Sequence, residues 1–322
     1  MPAPKTFCIV RTLFDAQRFL LLRLRLYELT PICKLLSALN VAGKIYTRNC
    51  EITPELAFPV NMQRIALRVE YRGDKYKGIQ RQASSTETVQ RYLHEALSFV
   101  ADEEITTQCA GRTDAGVHAS SQWCHFDTLA VRDNKAWTKG VNSRLPRTIR
   151  VHYAKEVSPQ FHARFCASSR SYRYVLRRCD IASAVLHGLV AYLPYDVDIQ
   201  TMNQAASALL GEHDFSAFRS SGCQAASPIR TLKKLDVRAS GDFVYIDVEA
   251  NAFLYNMVRN IVGSLLEVGR GVQPVSWMEA LLIGRDRSSA AAKAPACGLY
   301  FVGVQYPPEF GLPLGPYFPP LS

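Results

Sequence analysis

The chain has 322 residues, 48% hydrophobic and 20% charged, a globular composition with enough length for one large or two medium cores. Its formal charge of +10 points to a polyanionic partner. Nine scattered cysteines without a C-x-x-C pair argue against a disulfide framework and read as reduced thiols in the cytoplasm.

Residues 1–61 differ in character from the rest of the chain. Phe19–Leu22, with Leu24 and Leu26, form an apolar stretch broken by Arg23 and Arg25 and preceded by Arg18. It is too short and too charged to span a membrane. It lacks the order of a secretory signal, and Asp15 and Glu28 argue against a transit peptide. Residues 1–61 are therefore read as an N-terminal extension outside the core, which is expected to start near Met62.

From there, Ile65, Leu67, Val69 and Tyr71 alternate with charged residues, the period-two pattern of a half-buried strand. A basic loop carries Lys75, Lys77 and Arg81. Ser84-x-x-Glu87 fits a capping box before a helical face of Val89, Leu93, Ala96, Leu97 and Val100. A strand over Ile105–Cys109, a glycine-rich loop, and a returning strand through Gln122, Cys124 and Phe126 come next. A helix with Ala136, Trp137, Val141 and Leu145 ends at Pro146, and Ile149, Val151 and Tyr153 form another strand. The order β-α-β-β-α-β is that of a ferredoxin-like unit.

A strand at Tyr172, Tyr174 and Leu176 opens a second, similar half. Asp198 is placed to cap a helix through Ile199, Met202, Ala206 and Leu209. Leu232, Leu235 and Val237 lead to a hairpin turn at Ser240-Gly241-Asp242, and Val244, Ile246 and Val248 return. A long helix over Met257–Leu266 has Gly269 as its expected terminator. A shorter helix holds Trp277, Ala280 and Leu281, and Tyr300, Val302 and Val304 close the pattern. The expected fold class is therefore α/β (α+β): two ferredoxin-like halves, with antiparallel sheets and helices packed on one face. The N-terminal half spans 62–167, the C-terminal half 168–306, and a Pro-rich surface tail 307–322.

The chemistry-bearing stretch is Cys109-Ala110-Gly111-Arg112-Thr113-Asp114-Ala115-Gly116-Val117-His118-Ala119. Two glycines allow left-handed backbone and close approach, and between them one carboxylate, Asp114, sits near the counter-charge of Arg112. Taken alone, the stretch also fits a strand-ending turn. His118, Cys124 and His125 lie close in sequence but have no recognised ligand spacing, and no metal is expected.

This loop resembles the signature of the TruA-type tRNA pseudouridine synthases. Three further blocks match that family in order. They are Phe161-His162-Ala163-Arg164-Phe165 with Arg170-Ser171-Tyr172-Arg173-Tyr174, then His213–Arg219, then Asn251–Gly263. One departure is Ile79, where the family usually has Trp. The resemblance implies isomerisation of uridine to pseudouridine at nucleotides 38 to 40 of the tRNA anticodon stem-loop. It also implies paired α/β domains with the active-site cleft between them, a homodimer, and no cofactor or metal.

The reaction breaks the N1–C1′ bond, turns the uracil and joins C5 to C1′, so no atom is gained. A carboxylate serves such chemistry as nucleophile or as stabiliser of a developing cation. The resemblance assigns that role to Asp114, with Arg259 as its partner and Arg112 as a second possibility. Tyr172 would lie against the target base, although its alternation with Tyr174 and Leu176 equally suits a core strand. Arg259 could also be a solvated helix cation, but it falls in an apolar run. His162, Arg164, Arg170 and Arg173, with Lys75, Lys77 and Arg81, are read as RNA contacts. Two rivals are a non-catalytic RNA-binding module and an Asp-dependent glycosidase. The first gives no reason for a glycine-framed Asp, and the second usually needs a paired carboxylate that the loop lacks.

Overall fold

The computed structural model describes residues 61–82, 87–313 and 315–321. The N-terminal extension, apart from Asn61, and Ser84 of the expected capping box lie outside these residues. In the first half, β1 (Gln63–Tyr71) buries Ile65, Leu67, Val69 and Tyr71 as its alternation requires. Helix α1 (Val89–Ala101) lays Val89, Leu93, Ala96 and Leu97 on the core, each burial contributing about 1.5–3 kcal/mol for the larger side chains. Its N-cap is Thr88, and Glu87 stands one residue outside, accepting hydrogen bonds from Arg91 and from Tyr92 at 2.9 Å. The helix therefore starts a turn later than a box capped by Ser84 would require.

A short β2 (Gln108–Cys109) pairs with the long β3 (His118–Thr128), and the Asp114 loop joins them. A π-helical turn at Ala136–Gly140 runs into α2 (Val141–Arg144), seating Trp137 fully in the core, before β4 (Ile149–Val157).

The second half contains β5 (Ser169–Arg178), β6 (Ala191–Leu193), α3 (Ile199–Ser207), β7 (Gly211–Asp214), β8 (Ile229–Ser240), β9 (Phe243–Ala250), α4 (Met257–Gly269), α5 (Trp277–Gly284) and β10 (Leu299–Gln305). Asp198 caps α3 as expected, accepting from the backbone N–H of Gln200 and Thr201. The left-handed residue after α4 is Gly271, with φ +73°, rather than Gly269. Gly269 is instead a close-packing position, where a Cβ would lie 2.7 Å from Met202 of α3.

Among the described residues all ten strands belong to one mixed, mostly antiparallel sheet. Its order is β4-β1-β3-β10-β5-β9-β8-β7, with β2 on β3 and β6 on β5. The two halves thus do not keep separate sheets. The last strand, β10, pairs in parallel with β3 and antiparallel with β5, and so joins them by main-chain hydrogen bonds. The tail crosses the sheet near β10 and β9: Tyr317 N–H donates to the Val302 carbonyl at 2.8 Å, and the Tyr245 hydroxyl donates to the Leu321 carbonyl at 2.7 Å.

Candidate active site

The site lies where β3, β10 and β5 meet. His118 and Ala119 at the start of β3 face Tyr300 and Phe301 of β10, and Phe301 in turn faces Tyr172 of β5. This register sets the Asp114 loop beside Tyr172, although 58 residues separate them in sequence. The loop is clamped from several sides. Ile79 N–H donates to the Thr113 carbonyl at 3.2 Å, Tyr71 and Thr113 share a hydroxyl hydrogen bond of 2.7 Å, and Val117 N–H returns to the Asp114 carbonyl at 3.1 Å. Gly116 has φ +81°, a left-handed turn that a side chain would strain. Gly73 packs so tightly on the loop that a Cβ there would fall 1.9 Å from the Val117 carbonyl oxygen.

Asp114 is half-buried and lines a cleft of about 590 Å³. Burial raises its carboxyl above the ordinary carboxylate range, and the charges of Arg259 and Lys293 oppose that rise. Arg259 sits in the first turn of α4 and is only 9% exposed, which removes the reading of it as a solvated helix cation. It donates through Nε to the Ala294 carbonyl at 2.7 Å and through Nη1 to Asn256 Oδ1 at 3.1 Å. Asn256 takes a left-handed conformation, φ 59°, immediately before the helix. A non-glycine residue held there is strain that its surroundings must maintain.

Arg112 does not provide the counter-charge. It is exposed and donates through Nη1 to Gln224 Oε1 at 2.8 Å, on the loop that forms another wall of the cleft.

Tyr172 is 8% exposed and lines the cleft. Its ring is held edge-to-face between Phe253 and Phe301, each with its centroid 4.9 Å away. Burial, reinforced by the negative charge of Asp114, pushes its phenol well above the usual value, so it is a neutral phenol at neutral pH. Ile79 is a buried residue at the edge of the same cleft. His118 stacks on Tyr300, accepts from Gly73 N–H at 3.0 Å, and is held neutral by burial, which lowers it to about 4. Among the described residues no group of three or more His, Cys, Asp or Glu is placed to hold a metal.

The residues read as RNA contacts divide. Lys75, Lys77, Arg81 and Arg164 are exposed, and Arg164 lines the cleft. His162 is half-buried and accepts from the backbone N–H of Arg164 at 3.1 Å. Arg170 lines the cleft but is committed to carbonyls, including those of Asn251 at 2.8 Å and Ala110 at 3.3 Å, which ties the root of the Asp114 loop to the second half.

For Arg173 the reading as an RNA contact is corrected. Its guanidinium is buried and bidentate on Asp247, at 2.7 Å for each bond, with Phe318 of the tail 3.4 Å from its centre. Strand alternation explains this, because Tyr172 faces the cleft and its neighbour must face the other side. Replacing Arg173 by Met is expected to cost about 3–5 kcal/mol by stranding a buried carboxylate, read as a lower denaturation midpoint. Adding Asp247→Leu should restore most of the loss. A drop of about one in the salt slope of RNA binding, with stability intact, would return Arg173 to the RNA surface.

Asn256 and Lys293 are the site residues that sequence reasoning missed. Asn256 stands three residues before Arg259, a spacing that brings two side chains together at a helix start, so it carried a usable signal. Lys293 lies in an irregular segment with no pattern.

The family model described as tRNA pseudouridine synthase matches residues 68–166 and 205–307. A protein of Shewanella amazonensis named tRNA pseudouridine synthase A is 53% identical over 260 residues, covering 80% of this chain and 99% of that one. Proteins of the same name from Shewanella loihica and Shewanella halifaxensis are each 51% identical over 258 residues, covering 79% of this chain and 98% of theirs. The matched segments contain the Asp114 loop, Tyr172 is in the aligned span between them, and Arg259 lies in the second. The chain belongs to the tRNA pseudouridine synthase family.

Proposed function

We propose that the protein is an isomerase that converts uridine to pseudouridine at nucleotides 38 to 40 of the tRNA anticodon stem-loop, with Asp114 as the working carboxylate. The observation that carries this reading is the convergence of Asp114, Tyr172 and Arg259 from three distant segments on one cleft. An RNA-binding module has no use for a carboxylate whose burial must be offset by a buried guanidinium.

The target nucleotide leaves its stack and enters the cleft, as enzymes acting on a base require. Tyr172 packs against the uracil. As a neutral phenol it orients the base and hydrogen-bonds to it rather than starting the reaction as a phenolate. Ionised Asp114 meets the charge that develops as the N1–C1′ bond breaks. The uracil then turns, C5 joins C1′, the C5 proton is lost to a base and N1 takes up a proton, so that product and substrate have the same atoms. Arg259 keeps the carboxylate ionised and Asn256 keeps Arg259 in place. Arg112 and Arg164 at the mouth, with Lys75, Lys77, Arg81 and half-buried His162, belong to the surface that positions the RNA. The protein acts in the cytoplasm as a homodimer, with the extension 1–61 outside the catalytic core.

The test is incubation of purified protein with unmodified tRNA in the presence of a chelator, followed by mapping of pseudouridine. Conversion confined to the anticodon arm is expected. Conversion elsewhere, or none without added metal, would reject the reading.

A further inference from the structure

We infer that the open groove beside the active-site cleft, walled by Ser220, Ser221, Arg287, Ser288 and Lys293, is a subsite for an RNA phosphate flanking the target nucleotide. The inference rests on the reading that an extruded nucleotide occupies the cleft, and it deepens that reading.

The groove, of about 610 Å³, shares Tyr255 and Asn256 with the cleft, so the two cavities meet at the start of α4. Two cations and three serines line it, and although no carboxylate does, Ser288 already donates its hydroxyl to Asp286, which leaves Ser220 and Ser221 as the available hydroxyls. Arg287 is fixed before any ligand arrives, donating through Nη2 to Asn260 Oδ1 at 3.0 Å and through Nη1 to the Ala290 carbonyl at 3.1 Å. Lys293 is exposed and, among the described residues, forms neither a hydrogen bond nor an ion pair. Its backbone position is nonetheless set. Ala294 N–H donates to the Arg259 carbonyl at 3.0 Å, and the Ala294 carbonyl accepts from Arg259 Nε. Gly263 of α4 lets this strand of chain lie close, since a Cβ there would fall 2.0 Å from the Ala292 carbonyl oxygen. A free ammonium on a fixed backbone, beside an oriented guanidinium, is a suitable receptor for a phosphate.

Hydrogen bonds connect this groove to the catalytic arginine. Arg259 holds Asn256, Asn256 Nδ2 donates to Ser220 Oγ at 3.2 Å, Asn260 Nδ2 donates to the same oxygen at 3.4 Å, and Asn260 holds Arg287. Asn256, the residue before the 13-residue α4, lines both cavities, and the helix N-terminus adds partial positive charge there. A nucleotide turned into the cleft leaves its flanking phosphates at the mouth, where the groove begins. Lys293 also acts at a distance on Asp114, so an occupied groove would screen part of that influence.

The experiment uses the full chain and an unmodified anticodon-arm RNA, either native or with a neutral methylphosphonate in place of one phosphate beside the target uridine. Lys293→Gln should raise the Kd and KM for native RNA about five- to tenfold and flatten the salt slope by about 0.7–0.9, as expected for one lost phosphate contact. The methylphosphonate should weaken native protein to a similar extent at one flanking position and add nothing to the Lys293→Gln defect there. Lys293→Arg should restore binding. An unchanged salt slope, or fully additive effects at both flanking positions, overturns the subsite. A fall in kcat with Kd unchanged would show that Lys293 acts only through Asp114, and also overturns it. Lack of conversion by native protein would reject the catalytic reading instead, since the binding cycle is read without turnover.

Discussion

Asp114→Asn is expected to abolish pseudouridine formation, lowering kcat/KM by about four orders of magnitude or more, the scale on which loss of an essential catalytic group is felt. The two side chains have the same shape, so the loop clamped by Ile79, Tyr71 and Val117 should not change. RNA affinity should be retained or slightly increased, because a negative charge is removed from a surface that takes a polyanion.

Stability should move in the same favourable direction. Burial holds the Asp114 carboxyl above its ordinary value in the folded chain. A group raised in this way stabilises the fold only while it is protonated. That contribution is present below the ordinary value of 3.8 and disappears as pH rises through the folded-state value, leaving an ionised group that burial penalises at neutral pH. Asparagine has no such charge, so the variant should melt no lower than the native protein. Pseudouridine counts and RNA binding on one preparation test the point. Residual turnover within tenfold of native would remove Asp114 from the chemistry.

Arg259→Gln has the second largest expected effect, and its signature is a displaced pH profile. On the proposed mechanism turnover needs ionised Asp114, so kcat/KM should fall as pH drops through the carboxyl's folded-state value. Arg259 is the larger of the two charges that hold that value down. Without it the value rises further, and the acid limb should move to higher pH. At neutral pH the loss should be about 10²–10³, with part recovered in more alkaline buffer. Arg259→Lys should keep the limb near its native position yet lose activity, since an ammonium cannot reproduce the bonds to both Ala294 and Asn256. A uniform fall in rate with the limb unmoved would make Arg259 structural only.

Local pattern was a good guide to the elements whose faces differ. The alternation of β1, the cap at Asp198 and the apolar run of α4 all appear as their residues require. Short pieces that contribute few buried residues, such as β6 and β7, left no pattern to read. The parallel pairing of β3 with β10 was equally hidden, because a contact between residues 118 and 300 leaves no local trace. The Asp114 loop, Tyr172 and Arg259 were legible only through the family resemblance. Arg173 shows the reverse case. Its burial opposite Tyr172 was implied by period two, but a cluster of arginines suggested a charged surface. The cation acting on Asp114 from Lys293 was out of reach, because irregular backbone carries no periodicity.

The strand β10 has a consequence for how substrate and protein share the work of reaching the transition state. Because it is bonded to β3 on one side and β5 on the other, a hinge between the halves would have to break a main-chain ladder. This pairing favours a cleft set before substrate arrives, and on the proposed reading deformation would then fall on the nucleic acid. The free energy of unstacking and unpairing the target, a few kcal/mol, then becomes a means of discrimination. On the proposed reading, uridines in weakly paired or loop-adjacent positions should be converted faster than those inside a stable helix, because less of that cost stands between them and Asp114.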